Sequence, residues 1–274
     1  MTTHEAAPVS KARQAYLDRV RRQKRLVLTC QLGFLIAFFV LWEVLARVGV
    51  IDSFILSQPS RIWHTLTRFS ENKLLLHIGV TVYETLTGFL LGVVIGVFVA
   101  VILWWSPFIA RVAEPYLVVL NSLPKIALGP VIIIVAGAGT GAIIFMALAI
   151  SLIVTVLEML AGFVHTDPES IKMARTFGAT RRQVFTKIVF PSNLDTLFNS
   201  LKINIGLSLV GVIAGEFLVS KAGLGYLIVY GGQVFRMDLV MTGVLVLSVV
   251  AAAMYQAVSL LQKAVRRRYG SASH

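Results

Sequence analysis

Cysteine occurs once in this sequence, at Cys30, inside an apolar run. Without a second thiol, intrachain disulfide frameworks and paired-cysteine redox or zinc sites are excluded. Charge is sparse as well: 14% of the 274 residues are Asp, Glu, Lys or Arg, 57% are hydrophobic, and the mean hydropathy is +0.82. Soluble domains carry about 25% charged residues, so the composition points instead to a polytopic membrane protein. Acidic residues are few, 13 against 25 Lys and Arg, for a formal net charge of +12. That excess does not call for nucleic acid, because the basic residues flank hydrophobic spans, where they hold the chain to anionic lipid and set its topology. Catalytic patterns are missing too. There is no G-x-x-x-x-G-K-[ST] loop, no HExxH, no GxSxG and no carboxylate pair spaced for acid and base work, and His4, His64, His77, His165 and His274 are scattered. The sequence therefore offers no catalytic residue and no metal site, and ATP hydrolysis would have to come from a separate subunit.

What is present is a series of apolar blocks. We read an all-α protein with about six transmembrane helices, at roughly 26–46, 78–105, 116–136, 142–160, 197–219 and 239–261. Together they form a membrane domain over 26–262, between a basic N-terminal segment, 1–25, and a basic tail, 263–274. Residues 1–25 are too sparsely apolar for a packed core and read as a frayed or membrane-surface helix. The run Leu26–Ala46 suffices to cross a hydrocarbon core of ~30 Å at about 1.5 Å per residue, exceeds a signal-peptide core, and has no small-residue cleavage site behind it. Between residues 47 and 77, Ile62, Leu66 and Phe69 recur at helical spacing beside Trp63, which predicts a helix lying on the membrane surface. Gly88, Gly92 and Gly96 place a flat stripe on the second span, which marks a buried, central helix. Asn121, Pro124, Lys125 and Pro130 interrupt the third span, and proline removes a backbone donor, so this span is expected to be broken near its middle. The GAGTG at 137–141 is a turn; it lacks the lysine and strand context of a phosphate loop.

Polar groups at membrane depth need a partner or a watery lining, since a charge near a helix centre costs about 2.5–3.5 kcal/mol. Glu216 follows the small residues Gly211, Ala214 and Gly215, and Lys125 sits beside Pro124 in the broken span. With Asn121 and Pro124 they are candidates for a translocation pathway or gate, with structural ion pairing as the alternative for both charges. Lys202 and Glu158 lie near span ends and read as snorkelling, Glu43 and Glu84 as structural, and Trp104 and Trp105 as interfacial belt residues.

The longest hydrophilic interruption, 158–191, organises the rest. Ile171, Ala174 and Phe177, then Val184, Phe185 and Ile188, recur at helical spacing on either side of Gly178. This predicts two short amphipathic helices joined at a glycine that takes a left-handed conformation, with Pro191 stopping the second. With six spans, this elbow and both termini share one side, which collects about seventeen of the basic residues against about six opposite, so the positive-inside rule makes it cytoplasmic.

The same stretch carries a resemblance. Against the pattern E-A-A-x3-G-x9-I-x-L-P of ABC importer membrane subunits, the chain reads Lys172, Met173, Ala174, then Gly178, Ile188, Phe190 and Pro191 at matching spacing. Lys172, Met173 and Phe190 depart from it, and Lys172 reverses the charge of the family's Glu. With NSLPKIALGP at 121–130 and GEFLVSKAGLGYLI at 215–228, the chain resembles the nitrate, sulfonate and taurine branch of these permeases. The resemblance implies a type I ABC importer permease fold in the bacterial inner membrane with both termini cytoplasmic. It further implies a second permease copy, a cytoplasmic ATPase pair that binds ATP and Mg, and an external substrate-binding protein. Ala174, Arg175, Thr176, Phe177, Gly178, Ala179, Thr180 and Arg181 then form the coupling helix that docks on the ATPase, and the GLGY turn at 223–226 with Lys221 lies outside as a docking or gating element. The implied cargo is a small solute such as nitrate, a sulfonate or taurine; related permeases also carry thiamine or pyrimidine precursors. An ion-gradient-driven secondary transporter or channel, and a membrane scaffold without transport, are the other classes the composition allows.

Overall fold

The computed structural model describes residues 11–68 and 71–270, and among these there are helices and turns but no strand. The chain divides into two units, 1–64 and 65–274. In the first, α1 (Lys11–Arg47) runs unbroken through position 26, so the predicted boundary there is a change of composition and not of backbone. Gly49, with φ +79°, ends α1, and Glu43 then gathers the chain by accepting from Arg47 Nε at 2.7 Å and from the Ser60 amide at 3.0 Å. Asp52 caps the short α2 (Ser53–Leu56), and α3 (Pro59–Thr67) carries Ile62 buried and Trp63 exposed. Phe69 of the predicted surface helix lies outside the described residues.

The second unit is built around three long helices, α4 (Leu74–Trp105), α7 (Thr140–Val164) and α11 (Leu194–Val219). The predicted glycine stripe does bury: a Cβ on Gly88 would lie 2.6 Å from Ala147 Cβ, and one on Gly96 2.7 Å from Thr155 Cβ. Close backbone approach of this kind is how helices associate where there is no water to expel. Gly211 and Gly215 of α11 meet the neighbouring face of α7 at Ala147 and Ile143, and α11 also touches α4, so the three helices pack mutually. Against this trio, α13 (Met237–Gly270) packs Met254 and Val258 on Phe89 and Val93 of α4 and Phe198 and Ile205 of α11.

The third span is broken as the prolines require. The arms α5 (Pro107–Ser122) and Lys125–Ala136 meet at 82°, a 3-10 turn at Lys125–Leu128 leads into α6 (Gly129–Ala136), and the first arm begins earlier than the predicted 116. Among the described residues five helices are long and apolar enough to cross a membrane, and the bent pair, counted as one span, makes a sixth. Besides the single-turn α2, one helix went unpredicted: the supposed GLGY turn opens a ten-residue helix, α12 (Leu224–Gln233), lodged against α13, α11 and α4.

Candidate functional site

The elbow begins at Asp167, whose carboxylate accepts from the amides of Glu169 and Ser170 and from the Ser170 hydroxyl, and so caps α8 (Pro168–Thr176). Those donors, the Ser170 hydroxyl first, hold the Asp167 carboxyl below its ordinary value of 3.8. At the other end Gly178 takes φ +79°; its amide donates to Arg175 O at 2.9 Å, and that of Ala179 to Ala174 O at 3.0 Å. This pair of bonds is the Schellman closure, and it returns two otherwise orphaned carbonyls to partners. The next helix starts at once. Thr180 and Gln183 exchange hydrogen bonds in a capping box at the head of α9 (Arg181–Val184), which runs through a π-helical turn, Phe185–Val189, into α10 (Phe190–Ser192). Stop and start signals thus stand within three residues, and they fix the bend without tertiary help.

Packing then fixes the elbow to the bundle. Val184, Phe185 and Val189 bury against Ala100 of α4 and Met159 and Phe163 of α7, with Ile171, Ala174 and Ala179 closing the edge. Phe185 lies 5.0 Å from the Trp104 ring and 5.4 Å from Phe163, in the tilted and edge-on geometries that aromatic pairs favour. Of the eight predicted docking residues, Ala174 and Ala179 are therefore half-buried anchors. Arg175, Thr176, Phe177, Gly178 and Thr180 face outward, and Phe177 is 84% exposed. Arg181 is turned back: Nη2 donates to Trp104 O at 3.1 Å, and its guanidinium sits 5.3 Å from that indole. Trp104, read from sequence as a belt residue, is thus part of the seat; the separation of 77 residues hid it.

The predicted pathway residues do not form one cluster. Lys125 Nζ donates to Asn121 O at 2.9 Å across the break, and Pro124 is exposed beside it. Glu216 is 1% exposed, with both oxygens engaged: Oε1 accepts from Thr81 Oγ1 at 2.6 Å, and Oε2 from the Gly225 amide. Thr81 Oγ1 accepts in turn from Leu224 N at 2.8 Å, and His77 Nδ1 from Gly223 N at 3.0 Å. The first amides of α12, which have no partner within their own helix, are therefore met by side chains of α4 and α11. Glycine is required around Glu216, since a Cβ on Gly223 would lie 2.3 Å from its carboxyl and one on Gly225 2.8 Å from its Cβ. Glu84, 1% exposed, adds a second carboxyl beside Glu216. His77 and Thr81 stand 146 and 135 residues from their partners, and no local pattern announces them.

Comparison with known proteins places this architecture. Residues 92–271 match the family described as "Binding-protein-dependent transport system inner membrane component". Among relatives, the taurine transport system permease protein TauC of Escherichia coli is 24% identical, covering 88% of this chain and 90% of that protein. The putative aliphatic sulfonates transport permease protein SsuC of Bacillus subtilis is 23% identical and covers 81% of each. The formylaminopyrimidine transport permease protein ThiX of Halalkalibacterium halodurans is 26% identical over 70% of this chain and 77% of that one. Among solved structures, the inward-facing MetNI methionine ABC transporter superposes with a TM-score of 0.64 at 20% identity, covering 72% of this chain and 97% of that chain. A bacterial ABC transporter that imports alginate gives 0.59 at 16%, over 91% and 99%. With five apolar spans among the described residues, a bent pair that can make a sixth, and a family match over most of its length, this integral membrane protein belongs to the binding-protein-dependent transport inner-membrane components, as the permease of an ABC importer.

Proposed function

We propose that this permease moves a small anionic solute, of the class of nitrate, a sulfonate or taurine, inward across a bacterial inner membrane by alternating access. Two copies form the pathway, an external binding protein delivers the solute, and a cytoplasmic ATPase pair holds ATP and Mg. Catalysis on the solute plays no part. The observation that carries the reading is the elbow, which is exposed at its tip and seated by aromatic packing at its base. Closure of the ATPase pair would displace Arg175, Thr176, Phe177, Gly178 and Thr180. The Phe185–Trp104–Phe163 contacts would pass that displacement to the ends of α4 and α7, whose glycine-mediated interlock moves them together. Arg181, bound to Trp104, serves the seat more than the docking tip.

The solute class draws on two supports: the taurine and sulfonate names of TauC and SsuC, and Lys125 at the 82° break. Broken backbone at membrane depth is tolerated where it lines protein or water, which suits Asn121, Pro124 and Lys125 to the pathway. Glu216, with both oxygens engaged, is better suited to holding α12 than to meeting cargo. The test is uptake by the permease reconstituted with its ATPase and binding protein. Taurine, alkanesulfonate or nitrate should accumulate only with ATP and irrespective of the proton gradient. Uptake that survives ATP depletion and collapses with an uncoupler would replace this reading with a secondary transporter.

A further inference from the structure

We propose that a cavity beside the elbow binds the headgroup and upper acyl chain of an anionic phospholipid from the leaflet on that side. This goes beyond the transport reading and needs only that the chain sits in a membrane. The cavity, about 650 Å³, opens where α4 and α7 end and α5 begins. Its walls are aliphatic, with Leu103 from α4, Leu117 from α5, and Leu157 and Leu160 from α7. Its rim is cationic: Arg111, Arg175 and Arg181 converge from three separate helices, with Glu114 as the one carboxylate and His165 beside them.

Among the described residues none of these three arginines forms an ion pair. Their existing bonds go to carbonyl oxygens, Arg111 Nε to Pro107 O at 3.3 Å and Arg181 Nη2 to Trp104 O at 3.1 Å, and both leave further guanidinium donors available. Unneutralised guanidinium groups around a small opening select a phosphate, which they can grip with several charge-assisted bonds. The aliphatic walls decide the source. A soluble phosphate gains nothing from four leucines, whereas a diacyl lipid presents phosphate and hydrocarbon in this order. Depth agrees, because α4 closes on the exposed Trp105, the residue type that collects at the headgroup level. A lipid held here would bridge α5 to the elbow.

The test is native mass spectrometry of the full-length delipidated permease titrated with phosphatidylglycerol or with phosphatidylcholine of the same acyl chains. Wild type should retain phosphatidylglycerol preferentially. Arg111→Gln should weaken that retention by about tenfold, as loss of one charged hydrogen-bond donor predicts, while Lys263→Gln on the exposed end of α13 leaves it unchanged. Leu117→Trp, which fills the slot while keeping all three arginines, should also reduce it. Equal retention of the two lipids, or retention indifferent to both cavity variants, overturns the proposal. So does displacement of phosphatidylglycerol by millimolar inorganic phosphate, which would make this a soluble-anion site. None of these readouts involves ATP or uptake, so failure here leaves the coupling role of the elbow standing, and the reverse holds as well.

Discussion

At position 178 the backbone is left-handed, φ +79°, yet no atom lies within 4 Å of where a Cβ would sit. The requirement for glycine is therefore conformational, and substitutions should sort by their tolerance of that region. Valine, β-branched, pays the full left-handed penalty of about 1–2 kcal/mol and crowds the turn, whereas asparagine visits this region readily. Gly178→Val should lower ATP-driven uptake severalfold with normal membrane insertion, and Gly178→Asn should retain most of it; equal uptake by the two would remove the hinge from the mechanism. At Glu216 the logic is satisfaction of donors. Glu216→Ala strands the Gly225 amide and the Thr81 hydroxyl, at about 1–3 kcal/mol per buried unpaired group, and Thr81→Val strands Leu224 N and one Glu216 oxygen at similar cost. Both should lower the unfolding temperature in detergent, and the double variant should cost less than the sum, because the two share one network. Of these two sites the sequence displayed only the first. Gly178 announces itself through periodicity on either side, while Glu216 showed its burial and kept its partners hidden, since hydrogen bonding across 135 residues leaves no periodic trace.

Among the helices, α4 and α7 give the sharpest test of packing. Even alanine at Gly88 would bring its Cβ to 2.6 Å from Ala147 Cβ, a side chain with no rotamer into which to retreat. Gly88→Ala should cost about 1–3 kcal/mol of stability as an overpacked core does, and Ala147→Gly on the same chain should recover part of it; thermal unfolding of the singles and the double measures this. That stripe was readable because glycine every four residues lines up on one face of an apolar helix, where it lowers propensity and is tolerated only if another backbone packs there. The break at Pro124 was readable for a similar reason. α12 was not, because the GLG that opens it has the composition of a turn. Its helicity depends on side chains from α4 and α11 that supply its missing acceptors. The elbow lay between these cases: Gly178 was legible, and Thr180 with Gln183 spells a capping box that the periodicity argument passed over. On α8 the sign of the pH effect is set by Asp167. Its folded value is depressed by the bonds it accepts, so the cap is at full strength above 3.8 and is lost as pH falls through the lower folded value. Asp167→Ala should remove it at any pH, seen as faster amide exchange at Glu169 and Ser170 than in wild type at the same pH.

For the whole molecule the scarcity of cysteine makes its orientation in the membrane measurable. Cys30 is the sole thiol, and it is exposed on α1, so Cys30→Ser provides a silent background without disturbing a buried contact. Two reporters then mark opposite ends of unit 65–274. Phe177→Cys places a thiol at the tip of the elbow, where 84% of the side chain is exposed, and Lys221→Cys places one on the exposed loop between α11 and α12. The helix α11 joins these ends: it follows the elbow at Leu194 and runs to Val219, a length sufficient for one crossing, so the two thiols must lie on opposite sides. On the proposed orientation the Phe177 end is cytoplasmic, as the positive-inside rule expects: Lys172, Arg175, Arg181, Arg182 and Lys187 crowd the elbow, while Lys221 is the one basic residue in the loop between α11 and α12. A membrane-impermeant maleimide applied to intact cells should therefore label position 221 and spare 177, and should label 177 once the membrane is opened. Labelling of 177 in intact cells would put the elbow outside, where no ATP-driven partner can reach it. The same inversion would move the arginine-rimmed cavity to the outer leaflet while leaving its chemistry intact, so orientation bears on the coupling mechanism far more heavily than on the lipid site.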